Sequence, residues 1–174
     1  MGRTCLLTGR PGVGKTTCLR RVLDLLQVPT GGFVTDELRE RGNRVGFGLV
    51  TLDGRRATLA HVSIAGPPRV GRYGVNLDAL DRLGVPAIRE AVRDGHVVVI
   101  DEIGKMEMAS SAFRQAVEEA LESPAAVLGT ILAGSHPWGD RVKGHPAVRL
   151  IEVTAANRET LPQQVAELLT AEVR

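Results

Sequence analysis

Apolar and polar stretches alternate along the chain in a way that predicts strands and helices in turn. Short, uniformly apolar runs predict buried strands at 3–9, 96–104, 125–134 and 147–154. Longer stretches with apolar residues three and four positions apart predict amphipathic helices at 14–27, 77–95, 108–123 and 157–173. Apolar strands that alternate with helices are typical of a mostly parallel sheet with helices on both faces. We therefore expect one α/β domain over residues 1–174.

Three segments depart from this alternation. Residues 32–62 carry two turn signals, at 41–43 and 53–54, between alternating stretches, which predicts an inserted meander of three strands. Residues 66–76 hold two prolines and three glycines without apolar periodicity, and residues 135–146 are polar, so we expect both to be loops.

Two prolines fall inside the predicted helices. Pro86 interrupts residues 77–95 and predicts a kink or two shorter helices. Pro162 lies in the first turn or two of the last helix, where proline is tolerated.

Composition narrows the classes of function. Hydrophobic residues make up 43% of the chain and aromatic residues only 3%, so the core is expected to be aliphatic. A net charge of +2 without a basic run argues against specific nucleic-acid binding. No apolar run approaches the ~20 residues of a membrane helix, and there is no signal-peptide pattern. Because Cys5 and Cys18 are expected to be free core thiols, we expect a cytoplasmic protein. We also expect a monomer or a weak oligomer.

A phosphate-binding loop follows the first predicted strand. The stretch GRPGVGKT matches the spacing G-x-x-x-x-G-K-[ST] at every fixed position and opens a predicted helix. Glycines let backbone N–H groups approach phosphate oxygens, and the amino end of the helix attracts an anion. Lys15 is expected at the β- and γ-phosphates and the Thr16 hydroxyl at Mg²⁺. The predicted nucleotide-binding residues of this loop are Gly9, Arg10, Pro11, Gly12, Val13, Gly14, Lys15, Thr16 and Thr17.

Two acidic residues end the buried strand at 96–104. Asp101 lies where ligands of open α/β sheets bind, and it is expected to hold Mg²⁺ as the Walker B aspartate. Glu102 follows directly, and a carboxylate beside the metal aspartate can orient and deprotonate an attacking water. The alternative for both is a solvated charge at a strand end. The four histidines show no ligand spacing, so we expect no histidine metal cluster.

The fate of the terminal phosphate has three possible outcomes: transfer to water, transfer to a second substrate, or retention in a switch. P-loop proteins that carry a catalytic glutamate have an extra strand between the phosphate-loop strand and the Walker B strand, and residues 125–134 are a candidate for it. There is no guanine-recognition motif, which disfavours a switch GTPase. Hydrolysis is favoured, with a small-molecule or nucleotide kinase as the alternative and a nucleotide-binding module as the third.

The motifs together resemble one family. DEIGKMEM at 101–108, after GRPGVGKTT, resembles the thermophile-type nucleoside-triphosphatases, also called cancer-related nucleoside-triphosphatases. The stretches at 31–47, 70–77, 136–137 and 153–161 are similar to the family as well. The resemblance implies a RecA-like domain with an added hairpin, and Mg²⁺-dependent hydrolysis of ATP, GTP and other triphosphates with loose base selectivity.

The resemblance also suggests roles for matched residues. Lys105 would neutralise charge in the transition state, or be a solvated lysine that opens a helix. Glu107 would be a second carboxylate for water or metal, or, as we slightly favour, a favourable charge in the first turn of a helix. Arg72 and Tyr73 lie in a loop that could fold over the nucleotide.

The carboxyl part of the chain adds further candidates. Arg141 or Lys143 would act as an internal arginine-finger equivalent, or be a surface charge. Asn157 and Arg158 are expected near the base, where Arg158 would stack on it without selecting its identity. Asn157 is also a candidate amino-terminal cap of the last helix. Trp138 is expected to pack its own loop down.

Overall fold

The computed structural model describes residues 3–173 and contains a nine-stranded sheet. The strands are β1 Thr4–Thr8, β2 Thr30–Glu40, β3 Asn43–Thr51, β4 Arg56–His61, β5 Arg69–Val70, β6 Tyr73–Val75, β7 Val97–Ile103, β8 Val127–Ile131 and β9 Val148–Glu152. Their spatial order is β5-β6-β4-β3-β2-β7-β8-β1-β9. The pairs β2–β7, β7–β8, β8–β1 and β1–β9 are parallel, and β3, β4, β6 and β5 extend the sheet in antiparallel pairs.

Helices cover both faces of the sheet, as predicted. They are α1 Lys15–Leu25, α2 Leu77–Ala79, α3 Val85–Arg93, α4 Lys105–Met108, α5 Ser111–Glu122, α6 Pro137–Lys143 and α7 Leu161–Val173, with a π-helical segment at Leu80–Gly84. The apolar sides of α1 and α7 pack together on one face with Cys5 and Cys18, whose thiols are free and buried. The apolar sides of α3 and α5 form a second core on the other face.

Strand β8 lies between β1 and β7, where the extra strand was predicted. It is buried throughout, like most of β1 and β7, which explains the uniformly apolar sequence of these strands. The parallel order brings the carboxyl ends of β1 and β7 to the same edge of the sheet. The phosphate-binding loop and the acidic strand end therefore meet at that edge.

The three-strand meander is confirmed as β2, β3 and β4, but the prediction that residues 66–76 form a loop was wrong. Strands β5 and β6 form a short hairpin there, with a turn at Gly71, and β6 pairs with β4. Strands of two and three residues are too short to show a periodicity in the sequence.

Two helices differ from prediction, and the predicted interruption at Pro86 is confirmed. Residues 135–146 contain helix α6, whose amino end is capped by His136: its Nδ1 accepts the N–H groups of Trp138 and Gly139, each at 3.2 Å. The last helix begins at Leu161 rather than at Asn157, so Asn157 is not its cap, although Pro162 does lie in its first turn. Pro86 follows the π-helical segment at the start of α3, which confirms an interruption at that position.

Three of the five aromatic residues lie in the core that α3 and α5 form, which is otherwise aliphatic as predicted. The Phe113 ring packs against Phe33 and Trp138 at centroid distances of 6.3 and 6.4 Å. The Trp138 indole N–H donates to Glu118 at 2.7 Å, so this side chain anchors α6, as expected. Within residues 3–173, no helix combines the length and apolar character needed to cross a membrane.

Gly32 offers a test of the junction between β2 and β7. Its φ is +103°, and a Cβ there would lie 2.1 Å from the carbonyl oxygen of Val99. Gly54 has a similar φ of +96°, but apart from its two chain neighbours no described residue comes within 4 Å of that position. Since alanine carries a similar backbone penalty at both sites, we expect Gly32→Ala to lower the free energy of unfolding by about 2–3 kcal/mol more than Gly54→Ala does. Urea unfolding of both variants measures the difference, and equal losses would contradict this close approach.

Candidate active site

The phosphate-binding loop connects β1 to α1 at the carboxyl edge of the sheet. Gly9, Gly12 and Gly14 have φ values of +150°, +79° and +108°, and a Cβ at Gly9 would lie 2.8 Å from the Val153 carbonyl oxygen. Within the loop, between Gly9 and Gly14, the Val13 N–H donates to the Arg10 carbonyl at 3.1 Å and closes a turn that contains Pro11. Helix α1 begins immediately after, so its unpaired N–H groups lie beside the loop. This arrangement forms an anion site.

Lys15 and Glu102 face each other across this site. Lys15 Nζ lies 3.5 Å from Glu102 Oε2, and the two side chains are 12% and 37% exposed. The carboxylate thus remains accessible to water, while the ammonium is mostly enclosed. The predicted phosphate-binding cation and the predicted base are in contact.

Asp101 precedes Glu102 in β7 and is fully buried. Its Oδ1 accepts hydroxyl hydrogen bonds from Thr130 at 2.7 Å and from Thr16 at 3.2 Å. Its Oδ2 is buried and has no hydrogen-bond partner among residues 3–173. Burial raises the pKa of Asp101, the two hydroxyl groups lower it, and the neighbouring Glu102 raises it further.

The donor set fits a magnesium ion. Mg²⁺ prefers hard oxygen ligands and is usually held by one or two protein groups together with substrate phosphates and water. The Thr16 hydroxyl and the Asp101 carboxylate are 3.2 Å apart, and a carboxylate oxygen without a partner is costly to bury unless something binds it. These are the two residues that the sequence predicted for the metal.

Glu107 is a buried carboxyl group beside the site. It lies in the first turn of α4, as expected, but it is buried rather than solvated, and its Oε2 accepts the Gly104 N–H at 3.2 Å. Burial raises the pKa of Glu107 to about 8; backbone N–H groups oppose this shift, and the carboxylates of Glu102 and Asp101 add to it. A Cβ on Gly104 would lie 2.6 Å from Glu102 Oε1 and 3.1 Å from Glu107 Oε2, so both carboxyl groups approach this glycine.

Arg158 and Asn157 lie on the other side of the loop. The guanidinium of Arg158 donates to the Val13 carbonyl at 3.4 Å, and its Cδ lies 4.0 Å from the position of a Cβ on Gly14. The Asn157 side chain bonds to nearby backbone groups instead: its Oδ1 accepts the Thr154 N–H, and its Nδ2 donates to the Glu152 carbonyl, both at 2.8 Å. Arg158 therefore lies beside the loop, and its contact with a base stays a prediction, whereas Asn157 shapes the turn that carries it.

The other positively charged side chains that the sequence proposed for the site do not all lie there. Lys105 and Thr17 line a cavity of about 680 Å³ together with Asp101 and Glu102. Arg72, in the turn between β5 and β6, donates to the carbonyl of Arg44 and to the Tyr73 hydroxyl, so it packs against the meander. Lys143 donates to the carbonyl groups of residues 133 and 134 at 3.3 and 3.0 Å, and Arg141 is exposed on α6. Lys105 is the one among them that lines the same cavity as Asp101 and Glu102.

Sequence reasoning missed Thr130 and the burial of Glu107. Thr130 is the one hydroxyl residue in the apolar run at 125–134, and it lies near the carboxyl end of β8. A polar residue at that position could have indicated a site residue, since ligands of open α/β sheets bind at the carboxyl ends of the strands. No local signal marked the burial of Glu107, because it depends on how α4 packs.

A family model described as NTPase matches residues 4–166. The chain belongs to this nucleoside-triphosphatase family. Within the family, nucleoside-triphosphatase THEP1 of Thermotoga petrophila is 44% identical over 164 residues, which are 94% of this chain and 91% of the relative. The crystal structure of THEP1 from Aquifex aeolicus matches with a TM-score of 0.86 at 35% identity, over 95% of this chain and 98% of that one. The solution structure of a human cancer-related nucleoside triphosphatase matches with a TM-score of 0.84 at 38% identity, over 98% of both chains.

These matches confirm the family resemblance and the α/β fold predicted from the sequence. The relatives are named nucleoside-triphosphatases, and their similarity spans almost the whole chain, including the meander and α7. The meander is therefore part of the fold that this nucleoside-triphosphatase family shares.

Proposed function

We propose that the protein hydrolyses nucleoside triphosphates to nucleoside diphosphate and phosphate, with Mg²⁺ and with loose base selectivity. The observation that carries the proposal is the contact between Lys15 and Glu102, next to Asp101, which lines the same cavity as Glu102. A phosphate-binding cation, a water-accessible carboxylate and a metal-binding carboxylate then share one site. The names of the relatives support the same activity.

Binding would follow from groups already in place. Backbone N–H groups of the loop and of the amino end of α1 would donate hydrogen bonds to the phosphate oxygens, and Lys15 adds a full positive charge. Thr16 and Asp101 would hold the magnesium ion. When bound, Mg²⁺ neutralises part of the charge on the phosphate oxygens.

Glu102 would act as the general base. It accepts a proton from a water molecule whose oxygen forms a bond to the γ-phosphorus, while the bond from that phosphorus to the β,γ-bridging oxygen breaks and the diphosphate leaves. In the free protein this carboxylate is paired with Lys15. A bound phosphate competes for the ammonium, so the arrival of substrate frees the base.

Loose base selectivity is supported by the residues near the expected base. Arg158 lies along the loop as a flat cation that is suited to stack on any base. The Asn157 side chain makes its hydrogen bonds to backbone groups rather than offering them to a base.

Phosphate release tests the proposal directly. We expect the wild-type protein to release phosphate from ATP and GTP with Mg²⁺ and without any acceptor, and to stop when the metal is chelated. A panel of nucleoside monophosphates and nucleosides should leave the rate unchanged and yield no new phosphorylated product. Little release until an acceptor is added would instead identify a kinase.

A further inference from the structure

Thr130 is a hydroxyl residue in a strand that otherwise has no polar side chains. It lies near the carboxyl end of β8 and is fully buried, as is every other residue of that strand. A buried hydroxyl group is costly unless it forms a hydrogen bond, and valine would have the same branched shape without that cost. A hydroxyl group at this position therefore calls for a partner that valine could not serve.

The partner is the carboxylate of Asp101. The Thr130 hydroxyl donates to Asp101 Oδ1 at 2.7 Å, a shorter bond than the 3.2 Å bond from Thr16 to the same oxygen. Thr16 is not an equivalent anchor, because its hydroxyl is the other expected ligand of the metal ion. Oδ2 of Asp101 has no hydrogen-bond partner within residues 3–173. Two hydroxyl groups thus hold one oxygen of the carboxylate and leave the second oxygen open.

Thr130 also lies opposite an irregularity in β7. The register between β7 and β8 shifts between residues 100 and 103, where Asp101 and Glu102 together stand opposite Thr130 alone. One extra residue of this kind is a β-bulge, and bulges beside active sites redirect side chains. The bond from Thr130 therefore joins the two strands at the point where their regular register is interrupted.

Thr130 acts on the site through Asp101. Asp101 and Glu102 line the cavity of the candidate active site, and Thr130 is not among the described residues that line it. A threonine hydroxyl has one hydrogen to donate, and here Asp101 accepts it. The influence of Thr130 on the site is therefore carried by the orientation of the Asp101 carboxylate.

We propose that Thr130 is a positioning residue for the metal ion: by holding Oδ1 of Asp101, it fixes the rotation of the carboxylate and keeps Oδ2 open for the ion or for one of its water ligands. The same bond steadies the bulge from which Glu102 extends. Residues that orient a metal ligand in this way typically contribute about 10–100-fold to metal affinity. The proposal rests on the magnesium site of the proposed function but on no step of hydrolysis.

Binding of Mn²⁺, a paramagnetic substitute for Mg²⁺, tests the proposal without turnover. We would titrate Mn²⁺ into the full chain in excess over a non-hydrolysable ATP analogue and follow the bound ion by electron paramagnetic resonance. Thr130→Val removes the hydroxyl but keeps the branched shape, so it should weaken Mn²⁺ binding by about 10–100-fold. Thr130→Ser keeps the hydroxyl and should bind Mn²⁺ like the wild type.

The affinity for the same analogue in EDTA separates positioning of the metal from a general loss of structure. It should be unchanged in Thr130→Val, because the phosphate-binding loop and Lys15 are intact. Thr170→Val is the matched control, since Thr170 donates to the Ala166 carbonyl within α7 and is not among the described residues that line the cavity. This control should bind both Mn²⁺ and the analogue like the wild type.

A measurement on the wild type keeps the proposal testable even if Thr130→Val does not fold. The hydroxyl proton of Thr130 should exchange slowly with water, so that it is visible by NMR, and it should persist when Mg²⁺ and the analogue saturate the site. Disappearance of this proton on saturation would overturn the proposal.

Three results with the variants would also overturn it: wild-type Mn²⁺ affinity in Thr130→Val, equal losses in the valine and serine variants, or an equal loss of analogue binding in EDTA. If phosphate is released but Thr130→Val binds Mn²⁺ like the wild type, only the role of Thr130 fails. If the expected Mn²⁺ pattern appears without phosphate release, only the proposed hydrolysis fails.

Discussion

Glu102→Gln is expected to lower phosphate release by about 10²–10⁴-fold while leaving triphosphate binding intact. Glutamine has nearly the same shape but accepts no proton, so the attacking water loses its base. Binding should persist because the loop, Lys15, Thr16 and Asp101 are unchanged. It should even tighten slightly, since Lys15 no longer has to leave an ion pair with Glu102.

Single-turnover phosphate release and a separate titration with a fluorescent triphosphate analogue measure the two effects independently. Glu119→Gln is the matched control, because Glu119 is paired with Arg89 on the surface and lies outside the cavity lining. An undiminished rate in Glu102→Gln would remove Glu102 from the role of base. A loss of binding together with the rate would instead indicate a structural role.

Glu107 should make the nucleotide-free protein less stable as the pH rises. The pKa of this carboxyl is about 8 in the folded chain and near the ordinary glutamate value of 4.5 in the unfolded chain. Between these values the folded state holds a proton that the unfolded state releases, so unfolding becomes easier with each step upward in pH. The contribution is fully present below pH 4.5 and is lost by about pH 8, and it amounts to as much as about 5 kcal/mol.

Urea unfolding of wild type and Glu107→Gln between pH 5 and 9, without metal or nucleotide, measures this contribution as the difference between the two curves. Glutamine resembles the protonated acid, and its carbonyl can still accept the Gly104 N–H, so the variant should lose much of the pH dependence. Glu119→Gln again serves as the control and should keep it. Parallel curves for wild type and Glu107→Gln would mean that Glu107 is ionised in the folded protein.

The sequence predicted those parts of the site that are encoded locally. The phosphate-binding loop needs glycines at fixed positions, and Asp101 and Glu102 end a strand that is recognisable from its apolar residues. The extra strand β8 was also predictable, because a fully buried strand has a continuous apolar sequence.

The parts that escaped prediction depend on packing between distant segments. The burial of Glu107 arises because α4 packs against β5, β7 and α5, and the cavity arises because the meander lies opposite α4. Helix α6 was missed because its seven residues are stabilised by a histidine cap and by the burial of Trp138 and Val142 rather than by a long apolar pattern.

Strand β2 runs without interruption from the centre of the sheet to the tip of the meander. Residues 30–33 pair with β7, which carries Asp101 and Glu102 farther along, and the later residues of β2 carry Asp36 and Glu37 and pair only with β3. The meander and the strand that carries the predicted base are thus joined by direct backbone pairing through β2. A displacement of the meander would therefore be passed along the backbone of β2 to its pairing with β7.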